Sequence, residues 1–168
     1  MAQVLMIIAQ NGFRDEELLE TKESLEDEGI DVVIASKQKG KAVGKLGAKV
    51  EVDISYTDID FMDYDAIIFV GGPGASDYFD DKEAHRLAVD SFESGKIVAA
   101  ICIAPVILAN AGLLKGIKAT CFSSVSKQIE AKGAKYTGNS VEVSGRIVTA
   151  NGPEAAKEFG ELIAGMIR

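Results

Sequence analysis

The side chains of this sequence best suited to nucleophilic chemistry are two cysteines, Cys102 and Cys121, and a single histidine, His85. Cys102 lies in the stretch AICIA, with Ala100 two residues before it and Ala104 two residues after. A sharp turn from strand to helix brings two chain segments close together, so it needs small residues at those two places. Hydrolases use the same spacing with Gly-x-Ser-x-Gly. The following helix is expected to point its N–H groups at the sulfur and lower its pKa. The alternative is a small buried residue closing a strand, and AICIA alone leaves both open. Cys121, in KATCF, alternates with Ala119 and reads as packing. His85 falls mid-helix in the polar KEAHR and reads as a solvated surface residue, poorly placed for a Cys–His dyad.

Two further segments carry chemistry-bearing patterns. FVGGPGAS (69–76) is either a loop of N–H groups that stabilises an anion or a tight turn that needs glycine. It does not fit a nucleotide fingerprint, because Gly72 and Gly74 lack the third glycine and no GK[ST] follows. FRDEEL (13–18) opens a helix, and its carboxylates Asp15 and Glu16 are accounted for by the helix dipole. Glu17 directly precedes an inward-facing Leu18 and borders the expected cleft.

The elements that must position these residues are marked by apolar runs at 4–9, 31–35, 66–70, 97–102, 119–122 and 147–150. Most are continuous rather than alternating, as in strands buried on both faces of a parallel sheet. Amphipathic stretches separate them. Leu18, Thr21 and Leu25 share one helical face; so do Ala84, Leu87, Ala88 and Ser91; so do Ala156, Phe159, Ile163 and Met166. Strand–helix–strand order predicts a doubly wound α/β sandwich, whose chemistry gathers at the carboxyl ends of its strands. KAVGKLGAKVEVDISY (41–56) reads as a short β excursion.

Residues 97–114 carry no charge and approach the length of a membrane span. A single helix there would hold Pro105 in its interior at a cost of about 3 kcal/mol. A buried strand to Ile101, followed by an apolar helix from Pro105 to about Leu114, removes the conflict. The chain is 168 residues long with a net charge of −8, which disfavours phosphate backbones as partners. Neither a CxxC nor a paired His suggests a zinc site or a disulfide framework. The start, MAQVLMIIAQNGFRDEE, lacks the basic n-region of a signal peptide, so the expected address is the cytoplasm.

Taken together, FRDEEL after the first strand, GGPGA, AAICIAP and TANGP resemble the PfpI family, also called the ThiJ/PfpI superfamily, over essentially the whole chain. The resemblance implies one domain over residues 1–168, an α/β three-layer flavodoxin-like sandwich with a nucleophile-elbow cysteine. It implies that Cys102 is the reactive cysteine and that Glu17 is the carboxyl group hydrogen-bonded to it. The amides of Gly72 and Ile103 match the oxyanion-type donors. Phe122 stands where deglycase-type members bring a histidine, and Asn151 stands in place of the arginine of an SRGP-like turn, which makes both candidate pocket residues. A homodimer or larger homo-oligomer is implied, and no cofactor or metal.

The departures decide among functions. Protease-type members carry His directly after the cysteine, where this chain has Ile103. They also carry an acid four residues after the second glycine, where this chain has Ser76, with Asp77 one place late. Peptide hydrolysis needs a group to return a proton to the leaving amine, so it ranks last. The preferred expectation is a glyoxalase or deglycase acting on small reactive carbonyls, which needs a thiol and one carboxyl group. The alternative is a non-enzymatic redox sensor or stress-protective protein.

Overall fold

The structure, a computed structural model, describes residues 2–167. The chain order is β1 (Gln3–Ile7), β2 (Asn11–Phe13), α1 (Asp15–Glu26), β3 (Asp31–Ser36), β4 (Gly40–Gly44), β5 (Lys49–Val52), β6 (Ile54–Ser55), β7 (Ala66–Phe69) and α2 (Lys82–Glu93). It continues with β8 (Ile97–Ile101), α3 (Pro105–Asn110), β9 (Lys118–Ala119), α4 (Ser126–Ala131), β10 (Lys135–Tyr136), β11 (Val141–Ser144), β12 (Ile147–Ala150) and α5 (Ala156–Ile167). Seven strands form the central sheet in the order β11-β12-β8-β7-β1-β3-β6. All neighbours pair in parallel except the edge pair β11 and β12. This is the expected doubly wound α/β arrangement.

Burial explains the continuous apolar runs. Every residue of β7 and β8 is at most 1 % exposed, because helices cover both faces. One face packs Val4, Met6, Ile68 and Ala99 under α1 and α5, which also pack on each other. The other face packs Leu5, Ile67, Phe69 and Val98 under α2 and α3. Burying each large side chain contributes about 1.5–3 kcal/mol. The predicted inward faces of α1 and α2 are buried in full. In α5, Ala156, Phe159 and Ile163 are buried and Met166 is half-buried near the chain end.

Three expectations are corrected. The apolar run 119–122 contributes no strand to the central sheet. Only Lys118 and Ala119 are strand, pairing with β10 in a separate two-stranded sheet. At Thr120 the N–H turns to the Thr149 hydroxyl at 2.9 Å, and the Phe122 N–H turns to the Cys102 carbonyl at 2.8 Å. The helix from Pro105 ends at Asn110 rather than Leu114, because the Leu113 N–H folds back onto the Leu108 carbonyl and closes the last turn. His85 is half-buried and its Nε2 meets the Phe79 carbonyl at 2.8 Å, so it pins the loop before α2 rather than facing water freely. Among the described residues, no helix is long and apolar enough to cross a membrane.

In the β excursion at 41–56, the hairpin of β4 and β5 joins β2 in a three-stranded sheet beside α1, while β6 returns to the edge of the central sheet. Asp15 clasps it. Its Oδ1 accepts the Leu46 N–H and its Oδ2 the Ala48 N–H, each at 2.8 Å, with the side chain 6 % exposed. A Cβ at Gly44 would lie 2.5 Å from that carboxylate, so the hairpin closes tightly around it. The dipole alone therefore does not account for Asp15. Asp15→Ala leaves two amide donors without their ionised partner, and the expected loss is about 2–3 kcal/mol of unfolding free energy in urea. Limited proteolysis should open first in residues 44–48; cleavage there no faster than in the parent chain would reject the clasp.

Candidate functional site

β8 runs directly into Cys102, the one non-glycine residue with positive φ (64°) among the described residues. That conformation costs of order 1–2 kcal/mol and persists only where neighbours impose it. Here the Cys102 N–H bonds the Ala150 carbonyl at 2.9 Å, and the Cys102 carbonyl accepts from Phe122. Ala100 and Ala104 are fully buried on either side, which leaves no room for larger residues. The elbow expected from AICIA is present, and the sulfur-bearing residue is 8 % exposed.

Glu17 comes from the first turn of α1, and its side chain is completely buried. Its Oε1 accepts the Gly71 N–H at 2.9 Å, while Oε2 has no hydrogen-bond partner within normal limits. A Cβ built on Gly71 would lie 2.5 Å from the Cβ of Cys102 and 2.5 Å from Glu17 Oε1, so these two atoms are no more than twice that apart. Gly71 is thus the gap across which thiol and carboxyl face each other. Gly72, with φ of 101°, would place a Cβ 2.3 Å from the Arg14 nitrogen. The glycines of GGPG are required by this close approach, and the same loop turns its N–H groups towards the site.

Burial pushes the Glu17 carboxyl up to about 7, against the opposing pull of Cys102, the Gly71 N–H and Arg14. Burial, followed by the charge of Glu17, pushes the Cys102 thiol up to about 12. The N–H groups of Gly72 and Ile103 lie close enough to the sulfur to pull that value down. The expected lowering by the following helix is therefore overturned. Residues Cys102–Ala104 form a turn before α3, which begins only at Pro105, and burial and the Glu17 charge outweigh the Gly72 and Ile103 N–H groups. Glu17 therefore gives up its proton well before Cys102 does.

A cleft of about 650 Å³ is lined by Arg14, Glu16, Glu20, Cys121, Phe122, Tyr136, Asn151 and the turn that follows it; neither Cys102 nor Glu17 lines it. Phe122, 42 % exposed, joins this wall to Cys102 through its N–H. Asn151 lies in the wall with its N–H on the Ser140 carbonyl. The Ile103 side chain is partly buried and packs against both cores. Ser76 bonds its own turn at the Pro73 carbonyl. Among the described residues, no three of His, Cys, Asp and Glu gather as metal ligands would.

The residue that sequence reasoning missed is Arg14. It caps α1 in an extended conformation, and its N–H bonds the Gly71 carbonyl at 2.9 Å. Its side chain binds both oxygens of Glu16. That bond raises the Arg14 pKa most, and the charges of Glu17 and Cys102 add to it. Residues two apart do not face each other on a helix; the pair forms because Arg14 lies just outside it, which no spacing rule signals.

The sequence model of the DJ-1/PfpI family matches residues 2–166. The protein MJ0967 of Methanocaldococcus jannaschii is 40% identical over 162 residues, covering 95% of this chain and 79% of that one. The deglycase TK1284 of Thermococcus kodakarensis is 34% identical over 149 residues, covering 89% and 90%. A crystal structure of a ThiJ/PfpI domain protein from Brachyspira murdochii superposes with a TM-score of 0.96 at 36% identity, covering 98% of this chain and 95% of that one. On the elbow cysteine, the buried glutamate and a sequence match that spans nearly every residue, the chain belongs to the DJ-1/PfpI family.

Proposed function

We propose that the protein converts small reactive carbonyls or their adducts, with Cys102 as nucleophile and Glu17 as proton carrier. The observation that carries this reading is the buried Glu17 carboxyl, titrating near 7, next to the thiol. In the singly protonated pair, Glu17 takes the thiol proton, and the sulfur attacks the aldehyde carbon. The C–S bond forms as the carbonyl π bond breaks, and the oxygen, held by the N–H groups of Gly72 and Ile103, receives the proton. With methylglyoxal, Glu17 then moves the proton from the carbon bearing sulfur to its neighbour. Water hydrolyses the resulting thioester, releasing lactate and restoring the thiol. From an aminocarbinol, the hydroxyl proton passes through Glu17 to the nitrogen, the C–N bond breaks as the amine leaves, and the freed aldehyde follows the same path, in keeping with the name of the Thermococcus kodakarensis deglycase.

No step needs an imidazole, because no amine must be expelled from a peptide. Ile103 offers none, and His85 is committed to the Phe79 carbonyl. Peptidase action is the poorer reading for that reason. Redox sensing is favoured by one feature, a nearly sealed sulfur beside a carboxyl that can donate to a sulfinate oxygen.

Methylglyoxal turnover should vanish in Cys102→Ser and fall about 10²–10⁴-fold in Glu17→Gln. Lactate formation that survives Cys102→Ser rejects the mechanism. With peroxide, peptide mass spectrometry should find oxidation at Cys102 well ahead of Cys121; equal oxidation of both removes the sensor reading. Iodoacetamide alkylation of Cys102 should accelerate as pH rises through about 7, where Glu17 loses its proton and becomes able to accept that of the thiol. Glu17→Gln should abolish this inflection and leave only a rise at alkaline pH. An unchanged profile in that variant would show that the carboxyl and thiol are not coupled.

A further inference from the structure

A cleft of about 460 Å³ lies at the opposite end of the central sheet from Cys102. It reaches Ile147, the first residue of β12, which stands in register with Val98 near the start of β8. Cys102 follows the far end of β8. Phe92 near the end of α2, the segment 112–117 after α3, and the turn between β11 and β12 complete the lining. None of these residues belongs to the elbow, to GGPG or to the first turn of α1.

The lining is of two kinds. Phe92, Leu113, Ile117 and Ile147 are apolar, and Phe92 is 39 % exposed. Lys115 and Arg146 are its charged members, both cationic and both exposed. Among the described residues no carboxylate lines this cleft, in a chain whose 26 acids outnumber its 18 bases. Neither cation takes part in the ion pairs of the described residues. Arg146 also borders a smaller cavity with Asp65, but that carboxylate accepts the Gln3 N–H at 3.0 Å and forms no ion pair with it.

Both cations stand on fixed backbone. The Arg146 carbonyl accepts the Val98 N–H at 3.0 Å, which ties the turn to β8. A Cβ at Gly133 would lie 3.0 Å from Cγ of Lys115, so the lysine stem crosses a bare glycine. The Gly116 N–H holds that glycine's carbonyl at 2.8 Å. The Ser144 hydroxyl donates to the Lys118 carbonyl at 2.9 Å, so its proton is already used.

A ligand that meets both kinds of surface needs an apolar body and an anionic end. A carboxylate suits the fork of an arginine and the point charge of a lysine. A phenyl or alkyl body covers the Phe92 ring and the aliphatic side chains. A cation meets like charge, and an inorganic anion leaves the apolar half in water. A cleft of this size takes a small molecule.

We infer that this cleft binds a small amphipathic carboxylate, its apolar body against Phe92, Leu113 and Ile117 and its carboxylate between Lys115 and Arg146. The site stands apart from Cys102 and does not depend on the chemistry proposed there.

The test titrates three probes of one shape, phenylbutyrate, phenylbutanol and phenylbutylammonium, into the isotope-labelled chain and follows backbone amide shifts. Phenylbutyrate should bind about 10-fold more tightly than the alcohol, and the ammonium should bind most weakly. The shifts should centre on residues 92, 112–117 and 144–147. Lys115→Gln with Arg146→Gln should bring the acid to the affinity of the alcohol, whereas Phe92→Ala should weaken both alike. All three substituted side chains are exposed, so the fold is kept. Equal binding of acid and alcohol, an acid affinity unmoved by the double variant, or shifts centred on Phe122 and Tyr136 would overturn the inference. So would an acid titration that shows no saturation by ~20 mM.

Discussion

The peptide unit at Gly71 is the point on which the site depends. Its N–H binds the Glu17 carboxyl, and its C=O takes the Arg14 N–H. Its missing side chain leaves the gap between Cys102 and Glu17. One residue thus joins three segments at the carboxyl ends of β1, β7 and β8. The sheet order reverses there, since β1 sends its first crossover to β3 on one side while β7 lies on the other. Doubly wound sheets leave a crevice at such a place. In this protein the crevice is closed until the Glu17 carboxyl and Cys102 both lie against the same glycine, away from water.

Closure of that kind is why the proposed chemistry calls for no histidine. A solvated glutamate titrates too low to hold a proton near neutrality, and a solvated thiol too high to give one up freely. Burial moves the glutamate into the useful range and raises the thiol beside it as well. The elbow supplies the other half. A left-handed cysteine, held by Ala150 and Phe122, sets its side chain against the gap at Gly71.

How much of this could be read beforehand varied with the range of the interaction. The strands, the inward helix faces and the elbow at Cys102 follow from local pattern, because burial on two faces and close approach dictate residue type directly. Glu17 was pointed to by resemblance rather than by its surroundings in FRDEEL, since nothing in three successive acids shows which is buried. The hold of Asp15 on the hairpin spans some thirty residues, and the Arg14–Glu16 bridge depends on where α1 begins. Both are tertiary facts. The run 119–122 looked like a strand because its residues are apolar, yet Thr149 and Cys102 take its N–H groups one at a time. The direction of the thiol pKa is not legible in sequence, because a helix end is visible there and desolvation is not.

The burial of Glu17 also sets a limit on how stable the fold can be. Its pKa is higher in the folded chain, about 7, than the ordinary carboxyl value of 4.5. Its contribution to stability is therefore intact below the unfolded value and is lost as pH rises through about 7. Integrated over that interval, the loss is about 3 kcal/mol for a group so deeply buried. The fold is thus weakened most under the conditions in which the carboxyl has released its proton and can receive another. A neutral residue of the same shape would make a more robust protein with no acid to titrate beside the thiol. Retaining an acid at position 17 trades stability for a proton that can move.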